Sequence, residues 1–341
     1  MQNNHYATSE TGGAFLYFTL CFILSTAIAF PLSIFGGMAD SLLYFGQAQL
    51  LWDDGLLDGI IAITGQTGKL ELILPILFYL EKPLKLQEFG FILLNGALVN
   101  LAVAHTAIIL SKNISNKSTS IYGIFAILFS YIIYSNTLYI WRSIFSVYLL
   151  ILAVTNSKAA WKIAFLVLGC LMHLSTVIFY GIYLFCTLKF IPKNKSLFFI
   201  FSILVATAIN IGFQYMQFLS AFVSTEGGME VFTGTQGNLA IRIIINLYLI
   251  FLAAIYTQNL DNKVETSLWR FCTIIVISST AMADNWHLSW RIAAPAMVIL
   301  PCLIFSSARQ KRNKLAKLSI YLSILPSIRL IYLFFTGEFG G

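Results

Sequence analysis

The chain has 341 residues, of which 58% are hydrophobic and 10% charged, with a mean hydropathy of +0.82, whereas a soluble domain carries about 25% charge. This excludes a water-soluble globular protein, because a core of this size cannot bury so much apolar surface. The formal net charge of +7 comes largely from lysines in short links between apolar runs, which argues against a nucleic-acid partner and for the basic bias of cytoplasmic loops in membrane proteins.

The first apolar run, near 13–35, follows a leader with no Lys or Arg and no small-residue cleavage pattern, so it reads as a retained helix. The stretch 36–69 then sets Asp40, Asp53, Asp54 and Asp58 against a single lysine. It is predicted to form short amphipathic helices on the outer surface of the membrane. Hydropathy with Pro, Gly and charge punctuation places further spans near 70–82, 88–110, 119–137, 140–156, 159–173 and 174–190. Others follow near 196–219, 239–257, 267–283, 289–307 and 316–335, with a second outer loop at 221–238. The predicted architecture is all-α: a single transmembrane domain over 1–341, with about 11–12 transmembrane helices.

Orientation follows from the links bearing Lys112 and Lys117, Lys158 and Lys162, Lys189 to Lys195, Lys263 with Arg270, and Arg309 to Lys317. These alternate with links lacking Lys and are assigned to the cytoplasm. Strict alternation through both 70–82 and 88–110 would put the Lys112 link outside. One of the two segments therefore fails to cross, and Leu70–Leu80 is the candidate re-entrant piece because it is short. The five cysteines all lie in apolar stretches without CxxC spacing and read as packing residues.

Arginine is distributed differently from lysine. Arg142, Arg242, Arg291 and Arg329 sit at or inside apolar segments, and the first three fall at predicted outer ends. A guanidinium near hydrocarbon costs about 2.5 to 3.5 kcal/mol at a helix centre, so it ordinarily faces a cavity or a partner. Several on one side suggest an anion, and the planar fork suits phosphate or pyrophosphate; any one of them alone reads equally well as a headgroup anchor. His173 and His287, at outer ends of spans, are candidate proton shuttles, whereas His105 lies deeper and reads as structural. Asp40, Glu71, Glu226, Glu230 and Asp284 are candidate general bases, each competing with a plain solvated role. There is no HExxH, GxSxG, Walker or DxD pattern, so a site without metal or other cofactor is expected. Aromatic clusters such as Tyr139-Ile140-Trp141 read first as interfacial belts and second as sugar-stacking surfaces.

Four pieces, in order along the chain, resemble the EpsG-like and O-antigen (Wzy-type) polysaccharide polymerases. Gly37-Met38-Ala39-Asp40 followed by Tyr44 resembles a Gly-x-Asp-then-Tyr element, with one extra residue between Gly and Asp. Ile140-Trp141-Arg142-Ser143 resembles an Ile-Arg-Gln element, with Trp inserted and Ser for Gln. Leu171-Met172-His173-Leu174-Ser175 is similar to a Phe-His-x-Ser element, and Trp290-Arg291-Ile292 to a late Arg-Ile element. The resemblance implies a glycosyltransferase that polymerises undecaprenyl-diphosphate-linked repeat units at the periplasmic face of the bacterial inner membrane, with lipid-linked glycans as donor and acceptor. A chain-length regulator and a flippase are the implied protein partners. On this reading Asp40 or His173 takes the proton from the attacking hydroxyl, and Arg142, Arg291, Arg242, Tyr44 and His287 contact diphosphate or sugar. The alternatives are a flippase for lipid-linked oligosaccharides, for which an internal repeat is wanting, and a membrane acyltransferase working through a buried histidine.

Overall fold

The computed structural model describes residues 5–34, 40–67, 71–117, 119–135, 140–220, 239–283, 285–307, 309 and 311–336. Every regular element among them is helical. Four helices are long and apolar enough to cross a membrane, with cores at Glu88–Ser115, Lys195–Gly212, Leu288–Ser306 and Lys314–Leu333; shorter apolar helices accompany them. The predicted loop 221–238 lies outside the described residues.

Helices α1 (His5–Ile34) and α5 (Glu88–Ser115) pack side by side and antiparallel. Phe30 meets Phe89 edge-on at 5.9 Å, Asn100 Nδ2 donates to the Ser25 carbonyl at 3.3 Å, and the Tyr17 hydroxyl donates to the carbonyl of Thr119 just beyond α5. The chain thus enters α5 from the end at which it left α1. Everything between, α2 (Asp40–Asp54), α3 (Leu56–Thr67) and α4 (Ile73–Leu80), belongs to that one end. Gly55, at φ +91°, makes the sharp turn between α2 and α3 in a conformation that side chains rarely adopt. Helix α4 has eight residues, about 12 Å, against a hydrocarbon thickness of about 30 Å. The span predicted at 70–82 is replaced by a helix far shorter than the hydrocarbon is thick.

From α5 onward the chain runs back and forth between the two ends of the helical bundle. Helices α6 (Ile121–Phe129) and α7 (Tyr131–Tyr134) form one pass broken at Ser130, and α15 (Lys314–Leu322) and α16 (Ile324–Thr336) another broken at Ser323. The two breaks satisfy each other, the Tyr131 amide donating to the Ser323 carbonyl at 3.0 Å. Between them run α8 (Trp141–Thr155), α9 (Ala159–Met172), α10 (Ser175–Cys186), α11 (Lys195–Ser220), α12 (Leu239–Ile255), α13 (Lys263–Ala281) and α14 (Trp286–Ser306). Helix α14 runs parallel to α5, with Ser306 Oγ donating to Ala107 O at 3.1 Å one turn beyond the contact of Cys302 with Val103. Residues of α14 are mostly buried, whereas 17% of the α11 window is. Helix α11 presents Leu197, Ile200, Ile203 and Leu204 outward, an apolar surface that water would not tolerate and lipid would. All five cysteines are free and four are buried.

The lysine-bearing links gather at one end. Asn262 Nδ2 donates to Asn113 O at 3.2 Å, the Thr257 amide to Asn313 Oδ1 at 2.8 Å, and Lys195 Nζ to Tyr256 O at 2.7 Å. The starts of α8, α12 and α14, with Arg142, Arg242 and Arg291, lie at the opposite end. Lys82 and Lys85 are exceptions there, close in sequence to Glu81 and Glu88.

Candidate functional site

At the arginine-bearing end, three segments distant in sequence close on one carboxylate. Glu71 sits in the link before α4, and the amide of the next residue, Leu72, donates to Leu171 O at 2.8 Å, tying this link to the end of α9. Two residues after Leu171 the chain leaves its helix: His173 is extended, with φ −159° and ψ 119°. The approach of α9 to α10 at this corner depends on Gly169, since a Cβ there would fall 2.8 Å from Thr176 Cγ2. Thr176 cannot turn away readily, because its single hydroxyl proton is shared between Gly169 O at 2.9 Å and His173 O at 2.7 Å.

His173 Nδ1 lies 2.8 Å from Glu71 Oε1, and Arg142 Nη1 donates to Glu71 Oε2. Arg142 Nε donates to the Tyr44 hydroxyl at 3.2 Å. Tyr44, on α2, stacks on Trp141 with ring centroids 5.1 Å apart and planes 23° apart, and both rings are buried. Trp141 in turn lies 6.0 Å from Phe91 at the start of α5. An aromatic wall thus fixes the first turn of α8 and, with it, the direction of Arg142.

The electrostatics define the protonation pattern. Burial pushes the Glu71 carboxyl up, but the hydrogen bond from His173 and the charge of Arg142 outweigh it and hold the group at about 2. An ionised carboxylate only accepts, so the nitrogen facing it, His173 Nδ1, carries a proton. The other ring nitrogen, Nε2, has no partner among the described residues. The Arg142 and Glu71 charges cancel, while Arg142 Nη2 is left without a hydrogen bond among the described residues. The side chains of Arg142 and His173 are 17% and 14% exposed, so the cluster is sheltered but not sealed.

None of the remaining predicted site residues hydrogen-bonds to Glu71, Arg142 or His173 among the described residues. Arg242 is fully buried, donating through Nε to Ser289 Oγ at 2.8 Å and through Nη2 to Ser289 O at 2.8 Å and Ser279 Oγ at 3.0 Å. Its guanidinium lies 4.8 Å over the Trp290 ring, and its Nη1 has no hydrogen-bond partner among the described residues. Arg291, the neighbour of Trp290 on α14, is half-buried and has no hydrogen bond or ion pair among the described residues. Arg329 is exposed on α16, and His105 Nδ1 is 2.8 Å from the Tyr148 hydroxyl in the bundle interior. Asp40 begins α2, but its side chain and that of His287 lie outside the described residues, as do Glu226, Glu230 and Asp284. Sequence reasoning named Glu71 only as one carboxylate among five; its place as the hub depends on the tertiary bond between Leu72 and Leu171.

The arrangement is a histidine hydrogen-bonded to an ionised glutamate, beside one charge-balanced arginine and, at the same end, two arginines without a carboxylate partner among the described residues. It suits deprotonation of a hydroxyl next to a site that favours an anion. Among the described residues no three His, Cys, Asp or Glu side chains group around a common point. No protein-family model, curated protein or solved structure matches the chain.

Proposed function

We propose that this chain is a membrane-embedded glycosyltransferase, a polymerase of oligosaccharide repeat units carried on undecaprenyl diphosphate, acting at the periplasmic face of a bacterial inner membrane. One observation carries this reading. Arg142 and His173, from two of the four polymerase-like sequence pieces, meet on Glu71, and Tyr44, from a third piece 129 positions before His173, joins them through Arg142. Side chains merely decorating separate helix ends have no reason to converge on one carboxylate.

In the proposed reaction the acceptor hydroxyl of one repeat unit lies against His173 Nε2 and gives up its proton there as its oxygen attacks the anomeric carbon of the growing chain. The bond from that carbon to the diphosphate oxygen breaks, and undecaprenyl diphosphate leaves with the electron pair. Glu71 stabilises the imidazolium that forms and keeps the ring in its productive tautomer. Arg142 Nη2 and Arg291 receive the charge that develops on the leaving diphosphate. Arg242, sealed beneath Trp290, contributes positive potential from below. Both substrates are lipid-linked glycans, delivered by a flippase, with a chain-length regulator as the further partner. Acyl transfer would also use a histidine–glutamate pair, but it gives the unpaired arginines no role.

Arg142→Lys tests the reading. Lysine keeps one charge for Glu71 but loses the second arm of the fork, so the variant remains folded in the membrane and makes no long chains in cells. Normal chain lengths with this variant would overturn the assignment.

A further inference from the structure

A cavity of about 600 Å³ opens at the opposite, lysine-bearing end, between the link that follows α10 and the link that precedes α13. Four cations line it, Lys189, Lys193, Lys263 and Arg270, against one carboxylate, Asp261. Arg270 is 9% exposed, and its guanidinium is held by the carbonyls of Cys186 at 3.3 Å and Pro192 at 3.2 Å. No carboxylate pairs with it among the described residues. The cavity also meets the start of α13. There Asn262 Oδ1 caps the Glu265 amide at 3.0 Å, while the amides of Lys263 and Val264, both in the lining, have no partner among the described residues. A buried guanidinium without a counter-ion, three lysines and free amides at a helix N-terminus form an anion site in which each donor type is suited to phosphate oxygens.

We infer that this cavity binds a phosphate group, and its mouth favours one carried on a lipid. Leu188 and Leu260 line the opening and are 43% and 54% exposed, so they offer an apolar seat to an acyl chain whose headgroup sits inside. The inference depends on the chain being embedded in a bilayer but not on polymerase chemistry.

The test uses full-length protein in nanodiscs of phosphatidylcholine doped with phosphatidylglycerol, with retained lipid counted by native mass spectrometry. Wild type keeps bound phosphatidylglycerol. The triple variant Lys189→Gln, Lys193→Gln, Lys263→Gln binds it about a hundredfold more weakly, as three lysines at about fivefold each predict, while the triple Lys→Arg variant retains it. A charge-matched control, Lys117→Gln, Lys158→Gln, Lys162→Gln, binds as wild type does. Retention in the cavity variant, or equal loss in the control, would overturn the site. In a second arm, inorganic phosphate is added to detergent-purified protein. If it raises the melting temperature of wild type but not of the cavity variant, and phosphatidylglycerol is not retained, the phosphate site stands and its ligand is soluble. If neither probe separates wild type from the cavity variant, the proposal fails.

Discussion

Replacing Glu71 by Gln perturbs the hub of the candidate site at constant volume. The amide still accepts one hydrogen bond and donates another, but the carboxylate that answers Arg142 is gone. Breaking a buried ion pair by removing one member costs about 3–5 kcal/mol. Because the Arg142 side chain is 17% exposed, the lower end, about 3 kcal/mol, applies. The linkage estimate agrees: a carboxyl moved from 4.5 to about 2 contributes about 3 kcal/mol at neutral pH. Such a loss lowers the melting temperature of purified protein by several degrees. Function falls further than stability. A neutral amide no longer enforces a proton on His173 Nδ1, so chain extension drops by about two to four orders of magnitude. Glu71→Asp, which keeps the charge but shortens the reach, recovers stability more fully than activity. Thermal unfolding in detergent and chain-length profiles from cells report the two effects separately. Wild-type stability together with wild-type chain length in Glu71→Gln would refute the account of the cluster.

Glu81, at the far end of α4, behaves in the opposite sense. Burial raises its carboxyl to about 7 despite a hydrogen bond from Asn95. The folded chain therefore holds a proton that the unfolded chain releases, and stability falls as pH rises from about 4.5 to 7, by about 3 kcal/mol in all. Glu81→Gln removes this slope and melts higher than wild type at pH 8 but not at pH 5; parallel melting curves would contradict it. Glu71 acts at lower pH: its stabilisation is complete above about 4.5 and lost as pH falls toward about 2. Gly169→Ala forces a methyl against Thr176 at 2.8 Å, which costs about 1–3 kcal/mol and displaces His173, so activity drops more than stability; an unchanged melting temperature would refute the close approach. Arg242→Met removes a buried cation that lacks a carboxylate partner, so the protein folds at least as well as wild type while chain synthesis weakens; unaltered synthesis would remove Arg242 from the site.

Much of this architecture was written in hydropathy and charge. Lysine links alternate as they do because each stretch of helix returns the chain to the opposite end of the bundle, and the run at 70–82 was legible as the exception because the alternation of lysine links left no place for it. Tyr44, Arg142 and His173 were legible as separate residues of interest; their meeting was not, because contacts across 71 and 102 positions leave no local pattern. Glu71 was hidden for the same reason, looking like any acidic residue before an apolar helix. The charge balance of Arg142 was equally invisible, since a sequence shows an arginine but not its counter-ion. The basic cavity was concealed differently: its lysines obey the topological bias so well that they raised no question until α10 and α13 were seen to enclose a space.

The central claim is tested most directly in proteoliposomes holding the purified protein and a defined undecaprenyl-diphosphate-linked repeat unit, with no nucleotide sugar and no added metal. The account predicts a ladder of lipid-linked chains growing by one repeat at a time, absent with His173→Gln. Repeat units that are moved across the membrane or acylated without lengthening, or a ladder that persists in the His173→Gln protein, would contradict it.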